Sequence, residues 1–133
     1  MENKIVVHMQ SGDIHKGVTH DFAPDTATFH VLPAEGGGVP VRVRADQMKA
    51  LFYVKDYIGN SDFIARQAFD EAHRAGHRAI ITFGDGEEIW GVLGDGAEDD
   101  ESTGFYFYPA DKKDNNIRIF VVRSALKELR RVS

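Results

Sequence analysis

Residues 4–17 read KIVVHMQSGDIHKG, and residues 78–91 read RAIITFGDGEEIWG. The second stretch repeats the first: Gly12 aligns with Gly86 and Gly17 with Gly91, both at an offset of 74. Further out, Phe29-His-Val-Leu-Pro-Ala aligns with Phe105-Tyr-Phe-Tyr-Pro-Ala at an offset of 76. Val39, Val41, Val43, Met48, Lys49 and Leu51 then align with Ile117, Ile119, Val121, Leu126, Lys127 and Leu129 at an offset of 78. The offset grows at two loops and never reverses, so order, spacing and core chemistry all persist. The chain reads as an internal duplication.

Each copy reads as short strands separated by turns. Ile5, Val7 and Met9 alternate with Val6 and His8, the pattern of a strand with one buried and one exposed face. Ser11-Gly12-Asp13 and Gly84-Asp85-Gly86 read as tight hairpin turns whose glycines supply positive φ. A second strand ends near Gly17 or Gly91, where glycine suits a sharp bend. Phe29 and Val31, with Phe105 and Phe107 in the other copy, form the inward face of a third strand. Val39, Val41 and Val43 mark a fourth, and a short turn at Ala45-Asp46-Gln47 precedes a last strand to Val54. Five short strands of this kind indicate a small closed barrel. The predicted organisation is mainly β: one barrel over 1–54, a linker with a short helix over 55–78, and a second barrel over 79–133. The helix is expected from Ser61 as cap, an apolar stripe of Ile64, Ala65, Ala68, Phe69 and Ala72, and Gly76 as stop.

The totals narrow the function classes. Of the 133 residues, 42% are hydrophobic and 28% charged, the profile of a globular chain. Sixteen Lys and Arg stand against 21 Asp and Glu, and the net charge of −5 counts against nucleic acid and anionic membrane as partners. With no cysteine there is no disulfide, thiolate nucleophile or cysteine-held metal. The opening residues are too polar for a signal peptide, and no apolar run approaches the roughly 18 residues of a membrane span. A cytoplasmic protein without cofactor is expected.

The pattern strand, x-G-D-x-x-x-G, strand, turn, strand resembles the Sm-like and SH3-like small barrels. The phrases THDFAPDTATFHVLPAEGG and MKALFYVKDYIGN also resemble a bacterial protein family of unknown function that carries this tandem unit. Sm-like proteins bind RNA through an Asn before the third strand and an Arg-Gly pair after the fourth. Here Asp25–Thr28 and Asp100–Thr103 hold no Asn, and Arg44-Ala45 and Arg123-Ser124 lack the Gly, which counts against RNA.

Two candidate sites stand out. Arg74-Ala-Gly-His-Arg78 followed by Asp100-Glu-Ser102-Thr-Gly104 resembles the signature of PilZ domains, which bind cyclic di-GMP. The resemblance implies that Arg74 and Arg78 offer forked donors to phosphate and that Asp100 and Ser102 lie on the next hairpin. The alternative is a basic helix end and a polar loop, and the Asp-x-Ser-x-Gly run is one residue short of the motif. The second site is a surface. Alternation turns Tyr106 and Tyr108 outward, beside a possible basic set of Arg118, Arg123, Arg130 and Arg131. Tyrosine and arginine at such a surface suit a protein partner or a homodimer better than stacked bases.

Other patterns carry less. His73 and His77 have metal-ligand spacing, but Gly76 between them breaks the helix. Asp95 to Glu101 lacks the alternating ligands of a calcium loop. Glu35-Gly-Gly-Gly-Val39 has no following helix with which to hold phosphate. None of the five serines sits in a nucleophile elbow. The expectation is a non-catalytic binding or scaffold module with no metal. A cyclic dinucleotide sensor is the alternative, and an Sm-like RNA binder the second alternative.

Overall fold

The computed structural model describes residues 4–34, 38–57, 77–111 and 114–132. The first half contributes β1 (Ile5–Met9), β2 (Ile14–Val18), β3 (Thr28–Pro33), β4 (Val41–Arg44) and β5 (Met48–Val54). The second contributes β6 (Arg78–Phe83), β7 (Glu88–Leu93), β8 (Gly104–Pro109), β9 (Asn116–Val122) and β10 (Leu126–Arg131). A 3-10 turn, Ala45–Gln47, links β4 to β5, and another, Arg123–Ala125, links β9 to β10. The strands form one open sheet in the order β10-β6-β7-β8-β9-β5-β1-β2-β3-β4. Within each half the order is the same: last strand, then first, second, third and fourth.

The glycines explain the matching geometry. Gly12 and Gly86 turn their hairpins at φ +100° and +94°, where a side chain would be strained. β2 ends at Val18 and β7 at Leu93, just after Gly17 and Gly91. Each sits where the neighbouring strand crosses closely. A Cβ at Gly17 would collide with the Leu32 carbonyl, and one at Gly91 with the Tyr108 carbonyl and the Phe107 ring. Close backbone approach is what requires glycine at both positions.

Two tandem barrels are the expectation from sequence; the strands instead run on as one sheet, because β5 pairs antiparallel with β9. Ala50 faces Val121, Leu51 faces Phe120 and Phe52 faces Ile119. Two cores lie on opposite faces of this shared region. The first gathers Ile5, Val7, Phe29, Val31, Val43, Met48 and Leu51, and takes in Phe120 and Val122 from β9. The second gathers Ala79, Ile81, Phe83, Phe105, Phe107, Ile119 and Val121, and takes in Val6, Ala50, Phe52 and Val54 from β1 and β5. β1 is therefore buried on both faces at Ile5, Val6 and Val7, not on one as its alternation with His8 suggests. Each half supplies part of the other's core, which adds the burial that a unit of this size lacks alone.

Of the expected linker, residues 58–76 lie outside the described residues, and so does its helix. Lys55 and Asp56 are tied to the second half: the amide of Lys55 donates to the Asn115 carbonyl at 2.9 Å, and that of Asp56 to Asn115 Oδ1 at 3.0 Å. Val39 is 82% exposed and precedes β4 rather than belonging to it. Among the described residues, no helix is long and apolar enough to cross a membrane.

Candidate functional site

Of the predicted surface residues, the structure brings Tyr106 and Arg118 together. Register places Arg118 opposite Tyr53 across the β5·β9 joint, and Tyr106 opposite Phe120 on β9. The Arg118 guanidinium lies 4.2 Å from the Tyr53 ring centroid and 4.5 Å from that of Tyr106. Such cation–π contacts strengthen as water is removed. Tyr106 also packs edge-on to Phe120 at 5.4 Å. Burial, with Tyr53 beside it, pushes the Tyr106 hydroxyl up to about 12, so it stays protonated and can donate. Tyr108 continues the same face of β8 and is 43% exposed. Register adds half-exposed Val92, opposite Tyr108, while Trp90 follows on that face of β7. Trp90 Nε1 donates to Glu88 Oε1 at 2.9 Å.

The other predicted arginines lie elsewhere. Arg123 is turned onto the loop between β7 and β8. Its Nη2 donates to the Gly96 and Ala97 carbonyls at 2.8 and 3.2 Å, and its Nε to Ser102 Oγ at 3.3 Å. Arg130 and Arg131 are exposed on β10, separated from β8 in the sheet by β6 and β7. Arg131 pairs with Glu98 at 3.3 Å.

For the dinucleotide motif, Arg74 lies outside the described residues, and Arg78 opens β6. Ser102 lies in the same loop as exposed Asp100, and its hydroxyl reaches the Asp99, Gly104 and Gly96 carbonyls at 2.8, 3.0 and 3.3 Å. Ser102 and Arg123 together tie the acidic loop to β9's end. His73 is likewise outside the described residues. Among those described, no group of three or more His, Asp or Glu is placed to hold a metal ion.

A second cluster, not foreseen from sequence, spans the two halves. Lys49 on β5 donates to Asp85 Oδ2 at 2.7 Å and to Glu87 Oε1 at 2.6 Å, both in the β6–β7 hairpin. Its ammonium also lies 4.6 Å over the Phe83 ring. Burial pulls the Lys49 ammonium down, but hydrogen bonds to the two carboxylates outweigh it and hold the group above its ordinary range. The Lys49 hydrogen bond in turn lowers Asp85. Beside it His8 packs edge-on to Phe52 at 4.9 Å, and burial followed by the nearby Lys49 charge lowers its pKa. Gln10 staples the two 3-10 turns together: its Nε2 reaches Ser124 Oγ at 3.0 Å, and its amide donates to the Gln47 carbonyl at 2.9 Å. His8, Gln10, Lys49, Phe83, Asp85 and Ser124 line an open cleft of about 390 Å³ between the halves.

The family model DUF6982, described as a family of unknown function, matches residues 1–133. The chain belongs to that family. No curated protein and no solved structure matches it. In this DUF6982 chain, sequence reasoning missed Tyr53 and Lys49 because their partners come from the other half. The unbroken apolar run Ala50-Leu-Phe-Tyr-Val54 was the available signal, since a strand apolar on both faces must be covered on both.

Proposed function

We propose that this chain is a non-catalytic binding module whose contact face is Tyr106, Tyr108 and Arg118, completed by Tyr53 and Trp90. The reading takes each half as a small SH3/Sm-like unit, on the support of the shared strand order and the 3-10 turn before each last strand. The observation that carries it is the Arg118 guanidinium held between two tyrosine rings beside an exposed third. Rigid tyrosines and arginine dominate binding energy at protein interfaces because they bury much area with few torsions to freeze. The net charge of −5 favours a protein, whether another chain or a second copy, over nucleic acid.

A photo-crosslinking residue at position 108, compared with one at exposed Lys127 on β10, tests this in cells that make the protein. A discrete protein adduct at 108, not formed at 127 and lost in Arg118→Ala with its circular dichroism unchanged, is the expected result. Equal adducts at both positions, or none at 108, would refute the surface.

A further inference from the structure

The joint between the halves pairs the last strand of one unit, β5, with the fourth strand of the next, β9. Such a contact is head-to-tail: each unit uses a different edge, so repetition leads to rings or filaments unless something stops it. Among the described residues two edges have no outer partner strand, β4 at one end of the sheet and β10 at the other.

The repeat shows what stands at those edges. β10 and Val132 read LKELRRV where β5 reads MKALFYV. At the joint, Ala50 and Phe52 enter the neighbouring core, and Tyr53 holds Arg118. The corresponding positions of β10 are Glu128, Arg130 and Arg131, all exposed. On the other side, residues 40–44 read PVRVR where 118–122 read RIFVV. Phe120 and Val122 enter the neighbouring core, whereas their counterparts Arg42 and Arg44 are exposed. Pro40 replaces Arg118 and lacks an N–H for pairing. The counterparts of Ala50, Phe52, Phe120 and Val122, which would bury themselves in a third unit, are charged, while that of Val54 is Val132. Inward-directed charge and an edge proline are the means by which sheets refuse further strands. Of the two ion pairs at the joint one keeps its counterparts, since Lys127 corresponds to Lys49 and Asp13 to Glu87, while Ser11 stands for Asp85.

We infer that the β5·β9 joint is one step of a head-to-tail contact which the chain arrests at two units by charging β4 and β10. A second copy is the occupant these edges fit in shape and are barred from taking. The inference shares the Tyr53–Arg118 contact with the aromatic face but does not require that face to bind a partner.

Two variants test it, each altering only exposed positions. One carries Pro40→Arg, Arg42→Phe and Arg44→Val; the other carries Glu128→Ala, Arg130→Phe and Arg131→Tyr. By sedimentation each alone keeps the mass of the wild type, and a 1:1 mixture gives a species of twice that mass. A mixture that stays at single mass, with both variants showing native circular dichroism, overturns the inference, as does self-association of either variant alone. Hydrogen exchange on the wild type reads the same point without substitution. Outward amides of β4 and β10 exchange quickly while those of β5 and β9 are protected; protection at the outer edges in the wild type would overturn it.

Discussion

Phe120→Ala is expected to cost about 3–5 kcal/mol of folding stability, the range for removing a fully buried aromatic ring. Phe120 belongs by sequence to the second half, yet its fully buried side chain lies in the core of the first. Its ring meets Phe22 at 5.1 Å and Tyr106 at 5.4 Å, both edge-on, so its loss opens a cavity in the first core where β9 closes it. Urea unfolding checks this: the midpoint falls while the slope stays constant, because the surface exposed on unfolding hardly changes. Ile117→Ala on the same strand, where the side chain is 55% exposed, leaves the midpoint nearly unmoved. A loss below about 1 kcal/mol for Phe120→Ala would mean that the ring does not seal the joint.

Gly91→Ala is expected to destabilise by about 3 kcal/mol or more, although it adds one methyl group. The backbone at Gly91 is not strained, so conformational freedom is not the reason. The added Cβ would lie against the Tyr108 carbonyl, with Phe107 ring carbons at 2.6 and 2.8 Å. Neither neighbour yields easily: the carbonyl belongs to a paired strand and the Phe107 ring is fully buried. Gly84→Ala is the control, since its Cβ would meet only the Ala125 carbonyl, at 3.7 Å. Thermal unfolding of the two variants should separate them by about 12 °C or more, taking roughly 4 °C per kcal/mol for a chain of this length. Equal melting temperatures would show that β7 and β8 do not approach so closely.

The repeat, the hairpins and the turns before β5 and β10 were legible in the sequence because glycine and two-residue alternation are local signals. Phe29, Val31, Phe105 and Phe107 were correctly turned inward by that alternation. The joint was not legible, because pairing β5 with β9 brings together residues far apart in the chain. The sign of it lay in the runs Ile5-Val-Val7, Ala50-Leu-Phe52 and Ile119-Phe-Val-Val122, which a strand with one wet face would not carry. For the candidate site, alternation placed Tyr106 and Tyr108 on one face of β8, but it could not supply Tyr53 as the other half of the Arg118 clamp. Nor could it separate Arg118, which is held in that clamp, from Arg123, which folds a loop. Both are arginines next to apolar runs, and only the contacts distinguish them.

The most direct measurement on the central claim uses the single tryptophan, Trp90, which lies in the second half. Phe29 is fully buried in the core of the first half, so Phe29→Ala disturbs that core while Trp90 reports on the other unit. If the shared strands make the two halves one cooperative structure, the Trp90 fluorescence midpoint in urea falls by the same amount as the midpoint seen by far-ultraviolet circular dichroism, and the two curves coincide. A Trp90 transition that stays at its wild-type midpoint while the circular dichroism splits into two steps would contradict it.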